Sequence, residues 1–464
     1  MSLASRKPAY NLLRTAIRSP NATKQYIDPL IEQYKDKLDL QDDDGKTVLM
    51  HAIEFGKKGV PEELIKKGVD LNIQDKRGQT AVEYAIEYMP GIVKELIIRE
   101  VDTNKKDKSG KTPIMRAILA KKIEVAEELI KNGVELNIQE NSGKTALMYA
   151  SMTKQEKVAE ELIKKGVELN IQENSGKTAL MYASIIGEIE VAKELIKAGA
   201  DLDKKDKHGK TALMYAIKYM PDIAIELIKA GADLDKKDKH GNTALMHAIK
   251  VENKEVAKEL IEKGANLDIQ DEHKNTALMY AIFIGNKKVA KELIEKGANL
   301  NKKDKYGKTV LMHASNMPDI TEELIEKGAN LDIQDEYKNT ALMYAIKFGK
   351  EEVTKKLIEN GANLNIQDEH KNTALMHAYA FGKKKVAEKL IKNGADLNIQ
   401  NNDGETVLAY VSDMHGIIPD ISESSGGKKR KTKKGKRGNK SKESRKGKKS
   451  RKERKSIKGK KNKR

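Results

Sequence analysis

Apolar positions along this chain fall in short blocks that alternate with polar ones, and the blocks return at a fixed interval. Between Lys177 and Gly209 the first block is Ala-Leu-Met-Tyr-Ala, with Leu180 and Ala183 three apart and so on one helical face. Thr178 stands just before it and suits a helix N-cap. Gly187 closes this first predicted helix. A second block follows from Glu190, and its Val191, Ala192, Leu195 and Ile196 form an apolar stripe at helical spacing. Gly199 supplies a left-handed stop, and the stretch from Ala200 to Gly209 reads as an extended piece ending in a glycine turn. The predicted unit is helix, turn, helix, projecting loop.

The unit repeats. Its threonine recurs as Thr47, Thr80, Thr112, Thr145, Thr178, Thr211, Thr243, Thr276, Thr309, Thr340, Thr373 and Thr406, at steps of 31 to 33 residues. A helix pair this small cannot bury its own stripe, so each must stack on its neighbours. The frame Asp206-x-x-Gly209-x-Thr211-Ala-Leu213-x-x-Ala216, followed by Glu226-Leu227-Ile228 and Gly231-Ala232, resembles the ankyrin repeat, and the likeness covers roughly residues 38–415. It implies an all-α solenoid of stacked helix-turn-helix units with projecting loops, whose function is to bind other proteins along a concave face.

The departures from the family pattern carry expectations of their own. Met148, Met181, Met214, Met246 and Met279 occupy the position where the family usually has His, whose side chain ties one loop to the next. Packing is therefore expected to replace that polar tie. In three units the turn between the helices is Met-Pro (Met89-Pro90, Met220-Pro221, Met317-Pro318), which should end the first helix there. Lys274, Lys338 and Lys371 replace the loop glycine. The strain of a left-handed side chain is expected to move the turn onto the following Asn275, Asn339 and Asn372.

The organisation predicted is a degenerate N-terminal capping repeat over 1–37, an array of about twelve repeats over 38–421, and a disordered Lys/Arg-rich tail over 422–464. The net charge of +19 is not spread over these parts. Residues 427–464 hold 23 Lys and Arg against two Glu, a net of +21. The remainder carries 66 basic and 68 acidic residues, a net of −2. With Ile457 as its one apolar residue, the tail cannot build a core. Its first cluster, Lys428, Lys429, Arg430, Lys431, Lys433, Lys434, Lys436 and Arg437, is the candidate electrostatic segment, for nuclear import, nonspecific nucleic-acid binding or an anionic membrane surface. Gly-Gly followed by such a Lys/Arg run resembles the tails of ankyrin-repeat proteins of large cytoplasmic DNA viruses.

Candidate chemistry is sparse. The chain has no cysteine, which excludes thiolate nucleophiles and Cys-ligated zinc. Eight of nine histidines sit at recurring repeat positions: His51, His247, His313 and His377 four residues after the threonine, and His208, His240, His273 and His370 in the loop before it. No phosphate-cradling glycine loop or nucleophile elbow is found. The expectation is a non-enzymatic protein without cofactor or metal, a monomer lacking a transmembrane segment and intracellular, in cytoplasm or nucleus. Candidate partner-binding residues are the Tyr/His series four residues after the threonine: Tyr149, Tyr182, Tyr215, His247, Tyr280, His313, Tyr344 and His377. Two readings of that series stand side by side, rings packed between repeats or a partly exposed ladder for an unknown protein partner. Loop tips reading Lys-Lys-Asp-Lys alternate with tips reading Gln-Asp-Glu, a mixture that favours a protein over a nucleic acid on the array.

Overall fold

A computed structural model describes the backbone of residues 7–410 and the side chains of residues 11–409. Within the first of two compact units, residues 1–415, the described chain forms 24 α-helices and no strand, apart from one isolated bridge between Gln367 and Thr373. The helices come in antiparallel pairs, from Lys7–Arg18 with Lys24–Gln33 to Ala374–Ala380 with Lys384–Lys392, and a 3₁₀ turn over Val407–Tyr410 begins another unit. First helices pack on first helices and second on second, giving the two layers of an all-α repeat solenoid. Among the described residues no helix is long and apolar enough to cross a membrane.

Residue size sets the spacing of the layers. In Ala179–Ile186, Ala179, Leu180, Met181 and Ala183 are all buried, and the same letters are buried in almost every first helix. Alanine at two of these positions lets neighbouring helices approach closely, while Leu and Met fill the space between layers. In eight repeats the threonine hydroxyl accepts the N–H three residues on, as a cap should, for instance from Met181 to Thr178 at 3.3 Å. The Met-Pro units end their first helix as expected, at Tyr88 and Tyr219. In the third, the helix Val310–His313 stops four residues short of Met317, and the Thr321 hydroxyl takes up the freed Ala314 carbonyl at 2.9 Å.

Two sequence expectations need correction. The turn does not move onto asparagine: Lys274, Lys338 and Lys371 themselves hold φ near +60°. The preceding aspartate explains why. In the loop of Asp271, its carbonyl accepts Lys274 N–H, its N–H donates to the Asn275 carbonyl, and its carboxylate accepts the N–H groups of His273 and Asn275. Four bonds fix the register, so lysine takes the left-handed conformation and its strain.

Nor does packing replace the polar tie. The methionines are buried, but the tie is carried by other residues. At eleven repeats Gln or Lys six positions before the threonine reaches the next loop: Gln334 Nε2 donates to the carbonyls of Lys338 and Gln367 (2.6 and 2.9 Å), and Lys237 Nζ to that of Gln270 (3.1 Å). A second series of bonds runs from Asp70 N–H on Asp39 to Asp396 N–H on Asn365, joining successive repeats at eleven junctions. A third links the loop backbones, as Lys207 N–H to the Ser175 carbonyl at 2.9 Å.

Candidate partner-binding face

The loop aspartate also organises the exposed face of the first helices. In the repeat of Thr211, buried Asp206 accepts His208 N–H and Lys210 N–H through Oδ1 (2.8 and 2.9 Å). Its Oδ2 accepts the hydroxyl of Tyr215. The same bond joins Tyr84 to Asp75 (2.9 Å) and Tyr344 to Asp335 (2.6 Å), and also Tyr280 to Asp271. Where the ring is imidazole, Nε2 meets the carboxylate at 2.8 or 2.9 Å: His51 to Asp42, His247 to Asp238, His313 to Asp304, His377 to Asp368. Arg116 takes the position once, on Asp107.

The electrostatics follow from this geometry. Burial, against the pull of the aspartate, holds His51, His247 and His313 below the usual imidazole range, so each donates Nε2–H as a neutral ring. Burial pushes the tyrosines up, to about 12 for Tyr149, Tyr182 and Tyr280. These rings are neutral hydrogen-bonding groups with no proton to trade near neutral pH. Tyr149 and Tyr182 differ from the rest. Their loops carry Glu140 and Glu173, whose longer side chains fold back onto Ser142 and Ser175 and leave both phenol hydroxyls without a carboxylate.

A second row lies one turn further along the same helices, and it was missed from the sequence. Phe55, Tyr88, Leu119, Ile186, Tyr219, Val251, Phe283, Phe348 and Phe381 sit seven or eight residues after their threonines, and all are exposed. They include every phenylalanine in the chain, each 42 to 56% exposed. The two rows touch: Tyr344 lies 6.1 Å from Phe348 between ring centroids, and His377 lies 5.9 Å from Phe381. The readable signal was an aromatic or aliphatic residue three or four positions beyond most of the Tyr and His residues, Thr153 after Tyr149 being an exception.

Loop tips add a third row in the later repeats, His240, His273, Tyr306, Tyr337 and His370, all exposed. The structure therefore brings the predicted Tyr/His series together as one ladder, but as a buried or half-buried one, with six of its eight rings anchored to aspartate. One lysine of each Lys-Lys-Asp-Lys tip is also committed, since Lys106, Lys205, Lys237 and Lys303 donate to carbonyls of the next loop. Among the described residues no three His, Asp or Glu groups converge to hold a metal ion. The tail residues Lys428, Lys429, Arg430, Lys431, Lys433, Lys434, Lys436 and Arg437 lie outside the described residues, as do His415 and the side chain of Tyr410.

Comparison with protein families agrees with this architecture. The family described as ankyrin repeats (3 copies) matches residues 13–91, 87–173, 161–238, 220–304 and 297–368, and ankyrin repeats (many copies) matches 357–411. The chain belongs to the ankyrin-repeat family, whose members are generally scaffolds for protein–protein interaction and typically not enzymes. No curated protein matches it.

Proposed function

We propose that this protein is a non-enzymatic, monomeric intracellular scaffold that binds a protein partner along the exposed face of its first helices. One observation carries the reading: all four phenylalanines stand in the exposed row, beside a ladder of aspartate-held Tyr and His rings. A phenylalanine that only stabilised the fold would be buried, because burying its ring is worth roughly 1.5–3 kcal/mol. Rigid aromatic groups next to neutral hydrogen-bonding rings are what a partner-binding surface uses for contact area. Affinity capture with the full chain, in parallel with Phe55, Phe283, Phe348 and Phe381 all changed to Ser, tests it. Partners should be lost with the four rings while helical content is kept. Partners retained by the variant would refute it.

The charge partition supports a second reading, in which the tail binds nucleic acid or serves packaging or nuclear import, as its likeness to viral tails suggests. A tail of net +21 on a body of net −2 is a division of labour if the tail touches phosphate. Binding to random-sequence duplex should then weaken with salt at a log–log slope of about −0.9 per phosphate contact. It should vanish when residues 427–464 are removed. Capture repeated after nuclease treatment separates the two readings: partners lost with the nucleic acid belong to the tail.

A further inference from the structure

The face is not uniform along the array, and one place on it is built as an anchor. Between the repeats of Thr340 and Thr373 the three rows converge on a cleft of about 510 Å³. Phe348 and Phe381 line it, each beside its own ladder ring, Tyr344 or His377, and Tyr337 and His370 of the loops complete the lining. Both phenylalanine rings are about half exposed, at 56 and 42%. A cleft of this size, with apolar walls and a few fixed polar groups, accepts a large side chain and part of its backbone.

Its charge limits the occupant. Lys308 and Lys347 line the cleft, and neither has an ion pair among the described residues; Lys308 Nζ lies 4.6 Å over the Tyr344 ring. The two carboxylates nearby are differently placed. Asp368 is taken up by His377 and by the N–H groups of His370 and Asn372, and Glu369 stands at the loop tip 3.6 Å from His370. The cleft therefore offers an incoming ligand two cations against one exposed carboxylate, Glu369. A second copy of this face would bring Lys308 and Lys347 against their like. Single-stranded nucleic acid needs an unbroken cationic path for its backbone, and Glu272, Glu336 and Glu369 interrupt the loop tips on this half of the array.

We propose that this cleft anchors an acidic peptide segment of a protein partner, seating one large apolar side chain between Phe348 and Phe381 with flanking carboxylates on Lys308 and Lys347. The inference rests on the scaffold reading above and adds the place and the partner's chemistry. Phenylalanine rings give the anchor its apolar walls, while Lys347, exposed, and Lys308, half-buried over the Tyr344 ring, supply the charge for flanking carboxylates.

The probe is a fluorescein-labelled 12-residue peptide of Asp and Glu carrying one central benzoyl-phenylalanine, offered to the full chain. On irradiation its crosslinks should map to residues 337–348 and 370–381. Phe348→Ser with Phe381→Ser should weaken binding by at least about tenfold. Lys308→Gln with Lys347→Gln should weaken it and flatten its salt dependence; Phe348, Phe381 and Lys347 are exposed and Lys308 half-buried, and circular dichroism should be unchanged. Crosslinks confined to 427–464 would overturn the proposal, showing attraction to the basic tail alone. So would an affinity indifferent to the two rings, or a (dT)12 oligonucleotide that needs the rings while the peptide does not bind. Crosslinks placed instead around Tyr149 and Tyr182 would overturn this anchor yet leave the scaffold reading standing, because that reading is decided by the four-phenylalanine capture.

Discussion

Glu83 is the residue whose replacement tests the physics of this array most directly. Three residues after each threonine, ten repeats place methionine in the core; the repeat of Thr80 places Glu83 there, only 2% exposed. Its Oε2 accepts Thr80 N–H and the Thr80 hydroxyl at 2.7 and 2.6 Å, while Oε1 is buried without a partner. Burial dominates the balance and raises the carboxyl from 4.5 to about 7, against the lowering effect of the Thr80 bonds. The folded state therefore holds this proton more tightly than the unfolded chain does. Its contribution is fully present below about pH 4.5 and is lost as pH rises through 7. At 1.36 kcal/mol per unit, ionised Glu83 costs the fold about 3 kcal/mol at pH 8. Glu83→Met, the residue of the other repeats, should remove that cost. The variant should match the wild type near pH 4 and exceed it by about 3 kcal/mol at pH 8. Urea unfolding at each pH measures the gap. Amide exchange should place the gain in the helices Val48–Glu54, Ala81–Tyr88 and Pro113–Leu119, since each repeat couples only to its neighbours. A stability difference that does not change between pH 4 and pH 8 would refute the reasoning.

Other residues give shorter tests. His247→Tyr keeps the bond to Asp238 in the form four other repeats use. Burial holds the His247 pKa below its unfolded value, so the wild type should lose stability as pH falls through about 6.5, and the variant should lose less; equal acid midpoints would contradict it. Lys338→Gly should raise the urea midpoint by relieving about 1 kcal/mol of left-handed strain at φ 60°, and an unchanged midpoint would mean that the aspartate loop carries no strain. Gln334→Ala removes two bonds to loop carbonyls and should cost about 1–2 kcal/mol, with exchange rising on both sides of that junction; protection kept there would show that the backbone bonds suffice alone.

What was legible in the sequence follows from the range of the forces involved. The helix pairs, their threonine caps and their Met-Pro endings depend on residues within a few positions of one another, so period and propensity reveal them. The ties between repeats depend on side chains about 30 residues apart, such as Asn365 accepting from Asp396, and a lone Asn or Gln in a loop does not announce its partner. The Tyr/His ladder was found because it repeats; its aspartate was not, although Asp206 and Tyr215 keep a nine-residue separation that recurs in seven further repeats. That separation spans a turn and a cap, so neither helical nor strand periodicity picks it out.

The same contrast separates what holds the array together from what is left for a partner. Lysines and glutamines that look like solvated loop charge are spent on carbonyls of the next repeat, as Lys205 is on Lys237. Phenylalanines that look like core are outside, as Phe348 is. Polar groups serve the junctions because every repeat exposes a loop carbonyl to its neighbour, and an amide or ammonium can satisfy it at any register. Once the inner positions are filled by Ala, Leu and Met, an additional ring gains nothing for stability by standing on the outer edge. The partner proposed above, coming to cover it, would account for its place there.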